Sequence, residues 1–173
     1  VPMPDWFMCE RCGDLYYSLT ELGFCINLGA DSMPALVEEY ADMRCAAAVR
    51  ASHVGRLLAL SIREASVYWE DPIAGPCKAR PDAVMAENGI LLDLKTTSRE
   101  ARPDVWGRTS VYSGSMYAVQ AAHYLRALEA AAHPCHRAIW VVAETSEPYG
   151  VGLVEASDEV LAWGARMWET AVR

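Results

Sequence analysis

Lysine is almost missing from this chain. Lys78 and Lys95 are the only two among 173 residues, and arginine carries the rest of the basic charge. The formal charge is −8, which argues against a broad basic surface for gripping nucleic acid. It leaves room for a local basic groove, or for an acidic site that works through a metal. Long apolar runs are missing too. None approaches the ~20 residues that a membrane span requires. The opening VPMPDWFMCERCGD lacks the basic and long apolar regions of a signal peptide. It also lacks an initiator Met, as expected of a processed chain or a piece of a longer one. Six cysteines at irregular spacing do not make a disulfide scaffold. They are expected to be mostly reduced thiols in a cytoplasmic protein. Internal repeats and low-complexity tracts are absent.

What is present suits one globular domain with a sizeable core: 53% hydrophobic and 22% charged residues. Residues 1–31 read as an irregular N-terminal segment, and 32–173 as the folded domain. Helical periodicity runs from Met33 to about Leu60, with Ser32 and Pro34 at its start and a break near Ser52. Residues 64–70, EASVYWE, alternate as a strand, and DPIAGP is a turn. Two further strands are expected over 77–86 and 90–97, joined at Asn88-Gly89 as a hairpin. Residues 98–114 read as a polar loop. A helix from Ser115 to about Ala132, a second hairpin over 138–144 and 149–155, and a last amphipathic helix around Val160–Trp168 complete the order. The expected class is α/β, with a central mixed sheet flanked by helices.

Lys95 lies in the middle of an apolar strand, ILLDLKTT. Strand alternation puts Asp93 and Lys95 on one face and Leu92, Leu94 and Thr96 on the other. A two-residue turn at Asn88-Gly89 would set Val84 opposite Asp93 and Asp82 opposite Lys95. Asp82 then lies diagonal to Asp93 at ~7–8 Å. Lys78 and Arg80 share the parity of Asp82. Two converging carboxylates repel unless something positive joins them. Mg²⁺ takes one or two carboxylates plus waters and phosphate oxygens, and an ammonium beside it can orient water or stabilise developing charge. Spacing alone leaves a second reading open, a cross-strand ion pair of small value.

Pro81-Asp82 followed by Asp93-Leu94-Lys95 resembles the PD-(D/E)XK nuclease signature. EASVYWEDPIAGPCKARPD, LLDLKTT and YAVQAAHY, over roughly residues 45–155, resemble the RecE-type (exonuclease VIII) branch of that superfamily. The resemblance implies a restriction-endonuclease-like core and an exonuclease dependent on Mg²⁺ or Mn²⁺. Its expected substrate is the end of linear double-stranded DNA, degraded 5′→3′ in recombination or DNA processing. A single-strand annealing protein as partner and a homo-oligomeric ring are further implications. Asp82 and Asp93 would be metal ligands and Lys95 the catalytic lysine. Gln120 and Tyr124 match the family's Q-x₃-Y helix. Glu64 resembles a third acidic position, open to reading as a solvent-facing strand-end charge.

Gln120, Tyr124 and Tyr117 share a helix face on spacing alone. Gln120 suits a phosphate or a water, and Tyr117 reads as core. Lys78, Arg80, Arg99, Arg102 and Arg108 form a candidate phosphate track. Relatives carry an upstream metal-binding His. The candidate is His53, only 29 positions before Asp82, and its surroundings read more as a structural helix. His123 points away from Gln120 and reads as supporting or surface. Cys9 and Cys12 resemble one knuckle of a zinc site, but no second CxxC follows. Cys25 and Cys45 are irregularly spaced candidates to complete it, and Cys77 and Cys135 read as buried thiols. Two alternatives therefore stand beside the nuclease: a weak or inactive nuclease-like module that binds DNA or a partner, and a zinc-stabilised interaction domain.

Overall fold

A computed structural model describes residues 6–8, 15–17, 43–108 and 116–173. The chain divides into two units, Val1–Met43 and Arg44–Arg173. In the first, β1 (Trp6–Met8) and β2 (Leu15–Tyr17) pair antiparallel, with Met8 opposite Leu15. This regular pairing lies inside the stretch expected to be irregular. Cys9, Cys12, Cys25, Ser32 and Pro34, and with them the zinc reading, lie outside the described residues.

The second unit begins within helix α1, described over 43–51, which breaks at Ser52. Ser52 caps α2 (His53–Ala59), its side chain accepting a hydrogen bond from the Val54 N–H at 3.2 Å. Strands β3 (Ile62–Arg63), β4 (Val67–Asp71), β5 (Gly75–Ala79), β6 (Ala83–Met85) and β7 (Ile90–Thr97) follow. Next come α3 (Pro103–Trp106), α4 (Tyr117–Ala130), β8 (Arg137–Glu144), β9 (Val151–Glu155) and α5 (Asp158–Val172). The main sheet has the order β3-β6-β7-β8-β9. Only β7 and β8 run parallel; the other neighbours are antiparallel. The expected mixed α/β architecture is what forms.

Strand β7 is central, and its burial reflects that position. Leu91 and Leu92 are fully buried on opposite faces. Leu91, Val84, Trp140 and Val142 pack beneath α4 and α5. Leu92, Ala83 and Val141 pack with Val54 of α2 on the other face. Each fully buried aliphatic side chain of this kind contributes about 1.5–3 kcal/mol. Helix α5 crosses α4 so closely at Gly164 that a Cβ there would collide with the Ala118 carbonyl. None of the described helices is long and apolar enough to cross a membrane.

Four expectations about this region change. The run 77–86 is two strands, because Pro81 has no N–H for a ladder and interrupts it. Glu64 lies outside strand β4 in a left-handed conformation, φ 51°. The 98–114 loop contains a helical turn, since Trp106 is buried. Cys77 and Cys135 are half-buried rather than buried; among the described cysteines Cys45 is the buried one.

The turn between β6 and β7 decides how the carboxylates meet. It is a 3-10 turn, Ala86–Asn88, closed by Gly89 at φ 62°. A Cβ at Gly89 would strike the His136 ring. The longer turn shifts the register by two residues from expectation, so Met85 pairs with Ile90 and Val84 with Leu91. A two-residue shift keeps every side chain on its face. It sets Asp82, one residue beyond the ladder, opposite Asp93 instead of Lys95.

Strands β4 and β5 form a separate hairpin, with Tyr68 opposite Lys78. Asp71 secures it. Its Oδ1 accepts hydrogen bonds from the N–H groups of Ile73 (2.9 Å) and Ala74 (3.1 Å). Its Oδ2 accepts from Arg126 Nη2 on α4 at 2.9 Å. The turn N–H of Ile73 first, with Arg126 and Ala74, lowers the Asp71 carboxyl to about 2. A depressed acid stabilises the fold above its ordinary pKa and loses that contribution as pH falls through the folded value. Asp71→Asn should therefore lower the thermal midpoint at pH 7. Its deficit against wild type should shrink as pH drops from about 4 to about 2, as melting curves across that range would report.

Candidate active site

The sheet face beneath α4 carries Asp93 and Lys95, two residues apart on β7. Asp93 is buried, only 4% exposed. Its Oδ2 lies 2.5 Å from Lys95 Nζ, and the lysine side chain is itself 12% exposed. Asp82 sits where the chain leaves β5 for β6. Its Oδ2 accepts a hydrogen bond from the Leu94 N–H at 2.7 Å, which fixes the carboxylate at the edge of β7.

Three charges thus occupy one small region, two of one sign. Burial pushes the Asp93 carboxyl up to about 6. Lys95 opposes that rise, while the Asp82 charge and its hydrogen bond to Asp93 add to it. One ammonium does not neutralise two carboxylates. The donor set therefore fits a hard divalent cation, for which one or two carboxylates suffice and other positions go to water and substrate oxygens.

Lysine 95 has a second contact. Its Nζ lies 5.0 Å from the Tyr117 ring centroid, over the ring. Tyr117 stacks on Trp106 at 5.4 Å and 14°, and Trp106 leans on Trp140 at 5.9 Å. A cation over an aromatic face is attracted by the ring quadrupole. The ammonium is therefore held between a carboxylate and an aromatic stack rooted in the core. Sequence reading assigned Tyr117 to the core and missed this contact. The available signal was its place three residues before Gln120, on the same helix face.

The remaining candidates divide. Gln120 and Tyr124 are together, the Gln120 amide donating to the Tyr124 hydroxyl at 3.0 Å. Glu64 borders the site through its backbone, its N–H donating to the Asp82 carbonyl at 3.0 Å. Its carboxylate, however, is engaged by Arg80. His53 is exposed at the start of α2. Neither gathers with Asp82 and Asp93: among the described residues, no three or more His, Cys, Asp or Glu converge to hold a metal. His123 is a structural link. Its Nδ1 accepts from Trp168 Nε1 at 2.9 Å, so Nε2 carries the proton and donates to the Lys78 carbonyl at 3.0 Å.

The expected phosphate track is largely self-neutralised. Arg102 pairs with Glu100 and Asp104, and Arg108 with Asp104. Arg80 pairs with Glu64. Lys78 and Arg99 make no ion pair among the described residues.

Against known proteins, residues 36–173 match the family described as a PDDEXK-like domain of unknown function (DUF3799). The chain belongs to that family. No curated protein matches it in sequence. In solved structures, it resembles a "putative exonuclease" from Eubacterium rectale with a TM-score of 0.58 at 13% identity. The match covers 76% of this chain and 50% of that one, so the chain spans half the length of its structural relative. This likeness supports a restriction-endonuclease-like fold. A looser superposition on SSO0001 has a TM-score of 0.42 at 14% identity, covering 82% of this chain and 61% of that one, too loose to bear on the fold.

If the aromatic stack positions Lys95, the ring rather than the hydroxyl matters. Tyr117→Phe should keep the behaviour of wild type. Tyr117→Leu should lower nuclease turnover by roughly 10-fold, the equivalent of losing a desolvated cation–π contact of about 1–2 kcal/mol, with KM little changed. Equal losses in both variants would contradict the positioning role.

Proposed function

We propose that this chain is a divalent-metal-dependent deoxyribonuclease that hydrolyses phosphodiester bonds of linear double-stranded DNA from its ends. The observation that carries the reading is the shared face of Asp82, Asp93 and Lys95, with Asp93 buried and raised by its surroundings. Membership of a PDDEXK-like family supports it. Exonuclease action, 5′→3′ polarity and a role in recombination come from the RecE-type resemblance. The exonuclease description of the structural relative is in keeping with the first of these alone.

Asp82 and Asp93 would hold Mg²⁺ or Mn²⁺. That ion would supply Lewis-acid polarisation of the phosphodiester and lower the pKa of water. The chain's own residues do the rest. Lys95 presents a fixed ammonium to the phosphate and offsets charge that develops on its oxygens. Tyr117 keeps that ammonium from swinging away. Gln120 offers its carbonyl oxygen to a water or its second N–H to a phosphate, while Tyr124 fixes the amide's orientation. Burial beneath α4 lowers the local dielectric and strengthens each of these interactions. A ring-forming assembly and an annealing partner remain part of the proposal through the resemblance alone.

A second reading, a nuclease-like module that binds DNA without cutting it, is favoured by one observation. No third metal-binding side chain joins the pair among the described residues.

Linear duplex labelled at its 5′ or 3′ ends separates the two. Wild type with Mg²⁺ should release the 5′ label as mononucleotide, and EDTA should stop it. Lys95→Ala should lower the rate by about 10²–10³-fold, the usual cost of losing one preorganised charge-stabilising donor. A folded wild type that binds DNA but leaves both labels intact with Mg²⁺ and Mn²⁺ would favour the second reading.

A further inference from the structure

The β4–β5 hairpin stands outside the main sheet, and the catalytic reading gives it no task. Its outward face carries Tyr68, Glu70, Pro76 and Lys78, all exposed, while Trp69 and Cys77 face inward. Tyr68 remains 70% exposed although Lys78, its direct cross-strand partner, lies over the ring at 5.2 Å. The hairpin is firmly held. Asp71 ties its turn to Arg126 on α4. His123 of the same helix donates to the Lys78 carbonyl and lies 5.1 Å from the Trp69 ring.

The direction of the hairpin matters. Tyr68 and Lys78 form the pair near its base, and Glu70 lies toward the turn, opposite Pro76. The Tyr68–Lys78 pair is therefore at the end of the hairpin from which the chain leads to Asp82. From Lys78 the chain runs through Arg80 and Pro81 to Asp82, four residues, a reach of at most about 14 Å. The base is stitched to the site edge, with Arg80 Nε donating to the Glu64 carbonyl at 3.2 Å and the Glu64 N–H to that of Asp82 at 3.0 Å. An exposed aromatic ring beside an ammonium that makes no ion pair among the described residues, held rigidly within reach of the proposed phosphate-cleaving centre, matches how single strands are bound. Bases stack on aromatic faces and cations meet phosphates.

We infer that this hairpin is a binding platform for single-stranded DNA, with Tyr68 stacking a base and Lys78 contacting a phosphate. It takes the strand that enters or leaves the Asp82–Asp93–Lys95 site, and so rests on the nuclease reading. A stiff two-point support of this kind lowers the ordering cost of binding.

Fluorescence anisotropy with labelled oligo-dT in EDTA reads the platform without cleavage. Tyr68→Leu should weaken binding roughly 5- to 100-fold, the range for losing one stacked base, and Tyr68→Phe should bind as wild type. Lys78→Gln should weaken binding and flatten the salt dependence by about 0.7 in slope, as expected for one phosphate contact on a single strand. Unchanged melting temperatures would show that the exposed substitutions leave the fold intact. Tyr68→Leu binding as tightly as wild type, or wild type failing to bind oligo-dT, overturns the inference. The cleavage assay keeps the two proposals apart. Cutting by wild type with Tyr68→Leu binding unchanged removes the platform alone. Tyr68-dependent binding without cutting removes the hydrolytic reading alone.

Discussion

Everything at the proposed site depends on one unfavourable placement: a carboxylate, Asp93, sunk into a sheet face with a second carboxylate across from it. A buried acid prefers to be neutral, and a neighbouring negative charge strengthens that preference. Together they hold Asp93 near 6, well above its ordinary value, despite an ammonium at 2.5 Å. A fold does not need such a cluster for stability, because an apolar trio would pack there at lower cost. On the proposed function, a cation and a phosphate would complete its charge.

The surrounding structure serves to keep that arrangement fixed. Strand β7 is paired along its length with β8 and packed on both faces, so Asp93 and Lys95 cannot twist away from α4. The Leu94 N–H anchors Asp82 at the strand's open edge, where β6 has ended. Above the sheet, Trp140, Trp106 and Tyr117 carry core rigidity out to the lysine. His123 and Asp71 do the same for the β4–β5 hairpin. The site is thus supported by aromatic stacking on one side and by the Leu94–Asp82 hydrogen bond on the other.

Strand parity made the core of the site legible from sequence, since Asp93 and Lys95 must share a face whatever the register. Ile90–Thr97 also stands out as a strand by its apolar run and the Gly89 before it. The register itself was hidden. Asn-Gly suggests a two-residue turn, but the 3-10 turn at Ala86–Asn88 uses two further residues and moves Asp82 from Lys95 to Asp93. The interruption at Pro81 was visible in principle, since proline cannot serve a ladder. Tyr117's helix face, shared with Gln120, was legible but its contact was not, because an aromatic on a buried helix face looks the same whether it packs against leucine or an ammonium. The pairing of the arginines was also hidden: Glu64, Glu100 and Asp104 engage three of them through contacts that charge counting along the chain does not weigh.

Divalent-cation binding tests the central claim most directly, because it needs no substrate. Thermal melts with and without Mn²⁺, at pH 8 and at pH 5, would be compared for wild type and Asp93→Asn. A raised carboxyl sheds stability as pH climbs from about 4 through about 6, and a bound cation restores it. Wild type should therefore gain thermal stability from Mn²⁺ at pH 8, lose most of that gain at pH 5, and show none in Asp93→Asn. A gain that is equal at both pH values, or that survives the substitution, would mean that Asp82 and Asp93 are not held in tension for a metal ion.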